Sequence, residues 1–449
     1  MRRSRLAAGL SVLVIAYTVR LIYLHQIASS VLFDFLQLDP LYYYQWATRI
    51  AAGDWLGSEV FEMSPLYSYL LAVHLLVFGS DLWILRLVQI AVGSLTCLLT
   101  FLLGARLFNT RVGLLAGLAC AVYGPLLFYE GQVMKEFLTP ALATGALLLI
   151  CSPRARAGAA ARRGPWLGAG ALLGLAALVR GNFLLLILIL AVWAFFAAGR
   201  RFTFVVPFAF GTALVLLPVA ARNYAVSGDL VLTTSGGGEV FYIGNGPFAN
   251  GAYVPPPWVR SNPMYEHQDF RDKAEEITGR PLTRAEASRF WWRRTAAWIL
   301  RHPGRTALLW MRKFALFWND HELPDNYSYD TFTRFSPLLS RMLTFGPVAL
   351  LAWVGLLWSA RDAGRLVPLY LVLAGYMTSV LLFFNFARFR LPAVPILCVF
   401  AAFGAEQIFL GLRAWWRRRR LDWRPVISAL LLVFAGPFMY IDWSSSADE

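Results

Sequence analysis

The sequence predicts an all-α, polytopic membrane protein, and three observations carry that expectation. Long apolar runs recur along the whole chain, charged side chains are scarce, and arginines alternate in and out of the connections between runs. Of 449 residues, 58% are hydrophobic and only 15% charged, which leaves too little polar surface to cover a water-facing particle. Runs such as Leu6 to Leu24 and Ile84 to Leu103 approach the ~20 residues with which a helix crosses a ~30 Å hydrocarbon core, where backbone polar groups must be satisfied within the segment. Arg2, Arg3 and Arg5 precede the first run as they would in a secretory leader. That run is long, and no clear small-x-small cleavage site precedes Leu32 to Asp39, so an uncleaved anchor is expected.

The net charge of +15 would suggest a nucleic-acid partner in a soluble protein. Here the arginines cluster between apolar runs, and no nucleic-acid partner is expected. Cys97, Cys120, Cys151 and Cys398 lie in or at the ends of apolar runs, without CxxC spacing or nearby histidines. They are expected to be packing residues.

By length, about eleven crossings are expected. They fall near Leu6 to Tyr23, Leu82 to Leu103, Val112 to Phe128, Phe137 to Ile150, Trp166 to Val179, Phe183 to Ala198 and Phe202 to Ala221, then Leu338 to Trp358, Leu366 to Phe384, Pro392 to Leu412 and Val426 to Tyr440. With the N-terminus in the cytoplasm, the inside connections hold Arg2 to Arg5, Arg106 with Arg111, Arg154 to Arg163, Arg200 with Arg201, Arg361 with Arg365, and Trp416 to Arg420. This is the Lys/Arg excess of short cytoplasmic loops. Acids fall on the other side: Asp34, Asp39, Asp54, Glu59, Glu62, Glu130, Glu136 and the C-terminal Asp442 to Glu449.

Two outside segments exceed a connector. His25 to Asp81 holds two stretches suited to lying on the membrane, Pro40 to Ala52 and Pro65 to Phe78. Arg222 to Pro337 is polar and Gly/Pro-rich, then helical, and its stretch Ala285 to Trp318 mixes Trp and Arg at every turn, as an interfacial helix does. The expected organisation is a transmembrane core (1–222) with its first outside loop (25–81), an outside segment (223–337) and further transmembrane helices (338–449). Neither internal repeats nor inverted hydropathy symmetry is evident.

Three groups of residues could carry chemistry. Asp39 stands just outside the first span at the head of Pro40-Leu41-Tyr42-Tyr43-Tyr44-Gln45-Trp46. Asp before Pro is also an N-cap and first-turn pair, and the two roles are compatible. Glu130 and Glu136 occupy the next outside turn, where Glu136 could equally serve the following helix dipole. Arg180, Arg222, Arg388 and Arg390 lie at outer span ends, where the charge rule does not predict them. Snorkelling accounts for any one of them, whereas together they suit a phosphate, which arginine binds bidentately. Gly236-Gly237-Gly238 lacks GxGxxG spacing and is expected to be a flexible turn. Asp320-His321-Glu322 with Asp325 and Asp330 lacks EF-hand order and is expected to be an exposed acidic loop. The five histidines are scattered without HExxH.

Asp39 leading into Tyr42-Tyr43 and Trp46-Ala47, Ser64-Pro65-Leu66-Tyr67, Glu136 after a short turn, Leu217-Pro218 with Arg222-Asn223-Tyr224, Tyr242-Ile243-Gly244-Asn245 and Arg388-Phe389-Arg390-Leu391-Pro392 together resemble the GT-C superfamily of membrane glycosyltransferases. The likeness is to bacterial relatives of protein O-mannosyltransferases and of the aminoarabinose transferase of lipid A. It runs from about Asp39 to Leu412 and rests on the order of short motifs. The resemblance implies a GT-C-like bundle whose first outside loop carries a catalytic aspartate, here Asp39, with Glu136 as the second acidic position. It also implies a polyprenyl-phosphate sugar as donor, drawn from the membrane, and attack by an acceptor hydroxyl or amine with inversion. Some relatives carry Lys before Pro ahead of the second span, where this chain has Met63-Ser64-Pro65. A phosphate contact must then come from elsewhere, with Arg222 first and Arg180, Arg388 and Arg390 next.

The expected protein is thus an inner-membrane bacterial glycosyltransferase with an extracytoplasmic site. Asp39 is its base, Glu136 or Glu130 supports it, and Tyr42, Tyr43 and Tyr67 line the cavity. Its partners are membrane lipids and the lipid-linked donor. No cofactor is implied with certainty, and a divalent cation stays open. A transporter or flippase of a lipid-linked intermediate, or an envelope scaffold, are the alternatives. Transporters usually place charges at the bilayer midplane, and here they sit at span ends. The sequence names neither sugar nor acceptor.

Overall fold

The computed structural model describes residues 2–156, 163–197, 201–418, 422–441 and 443. Among these the chain is helical, with isolated bridges between Tyr123 and Leu343 and between Ala252 and Asn385 and no named strand. In chain order the helices are α1 (Arg2–Ile27), α2 (Leu38–Ala51), α3 (Pro65–Phe78), α4 (Leu82–Leu107), α5 (Thr110–Ala121), α6 (Gly124–Glu130), α7 (Leu138–Ile150), α8 (Pro153–Arg156), α9 (Gly164–Val179), α10 (Phe183–Ala197) and α11 (Arg201–Ser227). The segment expected outside supplies α12 (Gly237–Asn245), α13 (Glu266–Thr278), α14 (Arg284–Arg301), α15 (Pro303–Trp318) and α16 (Tyr329–Phe335). The chain then continues through α17 (Phe345–Ser359), α18 (Ala363–Leu381), α19 (Val394–Arg418) and α20 (Trp423–Tyr440).

This is a multi-pass helical membrane protein. Among the described residues six helical stretches are long and apolar enough to cross a bilayer: Ser4–Ile27, Leu82–Leu107, Phe202–Ser227, Phe345–Leu381, Ala387–Trp416 and Trp423–Tyr440. Thr110–Ala121, Gly164–Val179 and Phe183–Phe196 are apolar but shorter, so helix length alone does not establish eleven crossings.

Several expected boundaries are corrected, and proline explains most of them. The span expected from Val112 to Phe128 is broken between α5 and α6, where Gly124-Pro125 opens a new helix. The interfacial stretch Ala285 to Trp318 is two helices, because Pro303 cannot continue α14 and instead begins α15, as a residue lacking an N–H can. α17 starts at Phe345 rather than Leu338, just before Gly346-Pro347. The Gly236-Gly237-Gly238 run is not a free turn: Gly237 opens α12, and a Cβ on Gly238 would lie 1.9 Å from the Ser288 carbonyl oxygen. Only glycine lets α12 approach α14 that closely.

One large apolar cluster joins the membrane helices from α1 to α19, and a second packs Tyr43, Ala47 and Ile50 of α2 against Tyr67 and Leu71 of α3 with Val133 and Phe137. This second cluster fixes the outer loop on the end of the bundle. All four cysteines are buried and none forms a disulfide, as expected of packing residues.

The inside placement rests on the arginine pattern, and part of it (157–162, Arg200, Arg419 and Arg420) lies outside the described residues, as do Asp442 and 444–449. Asp54 and Arg111 are exposed on opposite sides of that scheme. Cysteines placed at these two positions are expected to react with an impermeant reagent from opposite faces of the membrane. Labelling of both from one face would sink the orientation.

Candidate active site

Five separate turns at the end of the bundle that the arginine pattern puts outside meet around one guanidinium. Arg388 belongs to a 3₁₀ segment, Ala387–Ala393, between α18 and α19, and it is 8% exposed. Its Nη1 donates to Asp39 Oδ2 at 2.8 Å and lies 3.6 Å from Glu136 Oε1, while its Nε lies 2.6 Å from Asp325 Oδ2. Arg180, just after α9, donates from Nη2 to Glu136 Oε1 at 2.7 Å and stacks over the Phe389 ring. Lys135, beside Glu136, donates from Nζ to Ser64 Oγ at 2.5 Å and faces the Tyr43 ring. Three carboxylates and three cations are thus gathered where water is largely excluded.

Their environments differ. Burial alone would raise the Asp39 carboxyl, but Arg388, Asn326 and Lys135 overcome it and hold Asp39 below its usual range. Burial wins at Asp325, pushing that carboxyl up despite Arg388 because Asp39 and Glu136 stand near. Burial, with Arg180 and Arg388 close by, pushes the Lys135 ammonium down to about 7 against the pull of Glu136 and Asp39. Two carboxyls held apart in this way are the pattern by which one site keeps both a charged and a protonatable acid.

The local sequence explains the aim of these groups. Gln37 occupies the cap position of α2, so Asp39 lies inside the first turn, where a negative charge suits the helix dipole. Its side chain turns to Arg388 instead of capping, which corrects the N-cap expectation. Leu38, directly before it, has φ of 50°, a strained conformation for a branched side chain that fixes where α2 begins. Tyr43 and Tyr67 stack edge to face at 5.3 Å, and the Tyr67 hydroxyl donates to Gln89. Tyr42 packs edge-on against Tyr43 and Trp46.

Three other expected residues are not in the cluster. Glu130 is 1% exposed and receives both Nε and Nη2 of Arg20, at 2.5 and 3.0 Å. Arg222 spends its donors on the carbonyls of Leu56 and Glu59 and lies over the Phe61 ring, so it binds the outer loop down. Arg390 donates to Glu322 and to the carbonyls of Phe317, Asn319 and His321. The Arg390–Glu322 and Arg388–Asp325 pairs correct the expectation of an exposed acidic loop for these two acids, which are drawn inward, while Asp330 stays exposed.

Asp325 and Lys135 are the site residues that sequence reading passed over. The only available signals were a lysine next to Glu136 and an acid in a loop otherwise read as solvated. Lys135 reaches the Ser64-Pro65 position, so a lysine stands there although the loop itself lacks one. As for a divalent cation, the convergence point of Asp39, Glu136 and Asp325 is filled by the Arg388 guanidinium. No group of three or more His, Cys, Asp or Glu side chains suited to a metal occurs among the described residues. This donor set does not fit such an ion, and no step below uses one.

The helical bundle, with acids and arginines gathered at one end, is similar to known membrane glycosyltransferases in part of its sequence and in fold. Residues 62–224 match the family model described as dolichyl-phosphate-mannose-protein mannosyltransferase. That match includes Glu136 and Arg180 but stops short of Asp39, Asp325 and Arg388. Among solved structures, the oligosaccharyltransferase of Archaeoglobus fulgidus in complex with Zn and sulfate superposes with a TM-score of 0.52 at 17% identity, over 97% of this chain and 53% of that one. The archaeal oligosaccharyltransferase AglB from Archaeoglobus fulgidus, in complex with an inhibitory peptide and a dolichol-phosphate, gives 0.48 at 16% identity, over 98% of this chain and 56% of that one. ArnT from Cupriavidus metallidurans bound to undecaprenyl phosphate gives 0.38 at 17% identity, over 91% of this chain and 79% of that one. The chain spans little more than half the length of the archaeal protein. A search of curated sequences found no match.

Proposed function

We propose that the protein transfers a sugar from a polyprenyl-phosphate-linked donor to an acceptor hydroxyl or amine at the extracytoplasmic face of a bacterial inner membrane, with inversion. The observation that carries this reading is the convergence of Asp39, Glu136 and Asp325 with Arg180, Arg388 and Lys135 at the end of a GT-C bundle. The acceptor heteroatom attacks the anomeric carbon, the bond from that carbon to the phosphate oxygen breaks, and the electron pair leaves with the polyprenyl phosphate. Asp39 takes the acceptor proton. Arg388 holds Asp39 too acidic for a strong base in the resting site. A donor phosphate that draws the guanidinium away would restore basicity when substrate is bound. Arg180 keeps Glu136 in place to orient the acceptor. A positioned base contributes about 10²- to 10⁴-fold, and charge stabilisation of the leaving group a comparable factor.

Turnover tests the reading directly. The purified protein in vesicles is expected to move labelled sugar from a polyprenyl-phosphate donor to an acceptor in envelope extract. Protein-dependent movement of the donor between leaflets without transfer would instead establish a flippase. Mass spectrometry of envelope lipids and proteins from a deletion strain then identifies the acceptor by the sugar it lacks.

Within the cluster, Lys135 takes the place of Arg222 as the first phosphate contact beside Arg388, because among the described residues its ammonium has no carboxylate within ion-pair distance. Its ammonium, poised at about 7, is charged below that pH and neutral above it. Donor capture is therefore expected to weaken as pH rises through about 7, and ionisation of Asp325 acts in the same direction. Lys135→Arg, charged throughout, should flatten the dependence, and Lys135→Met should capture donor poorly at every pH. Binding of labelled donor between pH 6 and 8 checks this; an unchanged profile in Lys135→Arg would remove Lys135 from the phosphate site.

A further inference from the structure

Away from the Asp39 cluster, the segment expected outside contains a concave site of about 830 Å³. One face of α14 forms a wall, with Arg289 and Arg293 one turn apart and Arg294 and Arg301 two turns apart, spacings that keep them on one side of the helix. Arg280 joins them from the loop before α14, and Tyr242 and Trp298 supply aromatic surface. The opposite face of α14, through Ala287, Ser288, Trp291 and Thr295, is buried, which fixes the orientation of the basic stripe. Charge is poorly balanced here: Glu286 is the carboxylate in the lining and already pairs with Arg280, and Asp229 lies 3.8 Å from Arg289. Arg293, Arg294 and Arg301 have no carboxylate within ion-pair distance among the described residues.

The neighbouring surface indicates what this excess charge faces. The basic stripe ends at Arg301, and the chain passes directly into α15, which packs against the membrane helices α18 and α20. At that junction Leu300, Leu308 and Met311 are 80%, 68% and 68% exposed. An apolar helix face beside two spans belongs in acyl chains, and Arg and Trp one turn away then sit at headgroup depth. Positive residues near such a surface attract anionic lipid, and an arginine fork matches phosphate oxygens.

We propose that this groove binds the phosphate headgroup of an anionic membrane lipid, seating α14 and α15 on the bilayer beside the active-site end of the bundle. None of the groove residues belongs to the Asp39 cluster, so the proposal stands whether or not the chain transfers sugar. The full chain, purified in detergent and freed of lipid, would be titrated with phosphatidylglycerol, phosphatidylcholine or glycerol 3-phosphate and examined by native mass spectrometry. Phosphatidylglycerol is expected to be retained at least roughly tenfold over phosphatidylcholine. The variant Arg293→Gln/Arg294→Gln/Arg301→Gln should lose that preference. The corresponding triple lysine variant, which keeps the charge, should retain it, as should Arg413→Gln, a change at an exposed arginine on α19. Undiminished retention by the glutamine variant would overturn the site. Displacement of the lipid by equimolar glycerol 3-phosphate would overturn the lipid assignment in favour of a soluble phosphate.

Discussion

Asp39→Asn is expected to leave a folded protein whose sugar transfer has fallen by about 10²- to 10⁴-fold, the usual contribution of a positioned base. Asparagine keeps the volume and a carbonyl oxygen for the Arg388 Nη1 donor, so the arginine stays engaged while the base is gone. Because Gln37 and not Asp39 occupies the cap position of α2, helix capping does not compete as an explanation. Asp39→Ser should lose transfer to the same degree, and both variants should still capture donor, whose phosphate meets Lys135 and Arg388. The measurement is single-turnover transfer on protein that matches the wild type in size-exclusion profile and thermal melt. Near-normal transfer by Asp39→Asn would move the base to Asp325, whose carboxyl is already pushed up by burial, or to Glu136.

The second large effect concerns stability. Arg20→Met removes the guanidinium that donates to both Glu130 oxygens and also to the carbonyls of Ala16 and Ala121. It leaves a carboxylate buried among membrane helices. Breaking a buried pair on one side costs about 3–5 kcal/mol, whereas replacing both partners with apolar groups is often neutral. Arg20→Met should therefore express poorly and melt early, and Arg20→Met/Glu130→Leu should recover most of the loss. Gly93 shows how closely the pair is packed: a Cβ there would lie 2.2 Å from the Glu130 carboxyl. Transfer by the double variant is expected to stay within a few-fold of wild type once folding is matched. A folded double variant without transfer would return Glu130 to the chemistry.

Much of the fold was legible because the bilayer imposes it. A segment that must satisfy its own backbone in lipid shows itself as a long apolar run, and the helices Leu38–Ala51 and Pro65–Phe78 were marked by their aromatic residues and entry prolines. Proline also placed the breaks at Gly124-Pro125 and Pro303 that hydropathy smoothed over. The site was half legible. Asp39, Glu136, Arg180 and Arg388 stood out as charges at outer span ends, and the structure brings those four together. Arg222, Arg390 and Glu130 carried the same signal and went elsewhere. A charge at a span end says only that some partner is needed, and backbone carbonyls, a headgroup, a buried counter-ion or a substrate satisfy that need equally well.

The sequence by itself determined the class of fold and the apolar stretches that become helices, since each follows from local composition and the thickness of lipid. Only the tertiary structure decided which charges meet. Asp325 and Arg388 join Asp39 across nearly the whole length of the chain, and Lys135 reaches Ser64 from another turn. Ion pairing depends on distance in space, and no periodicity along the chain encodes it.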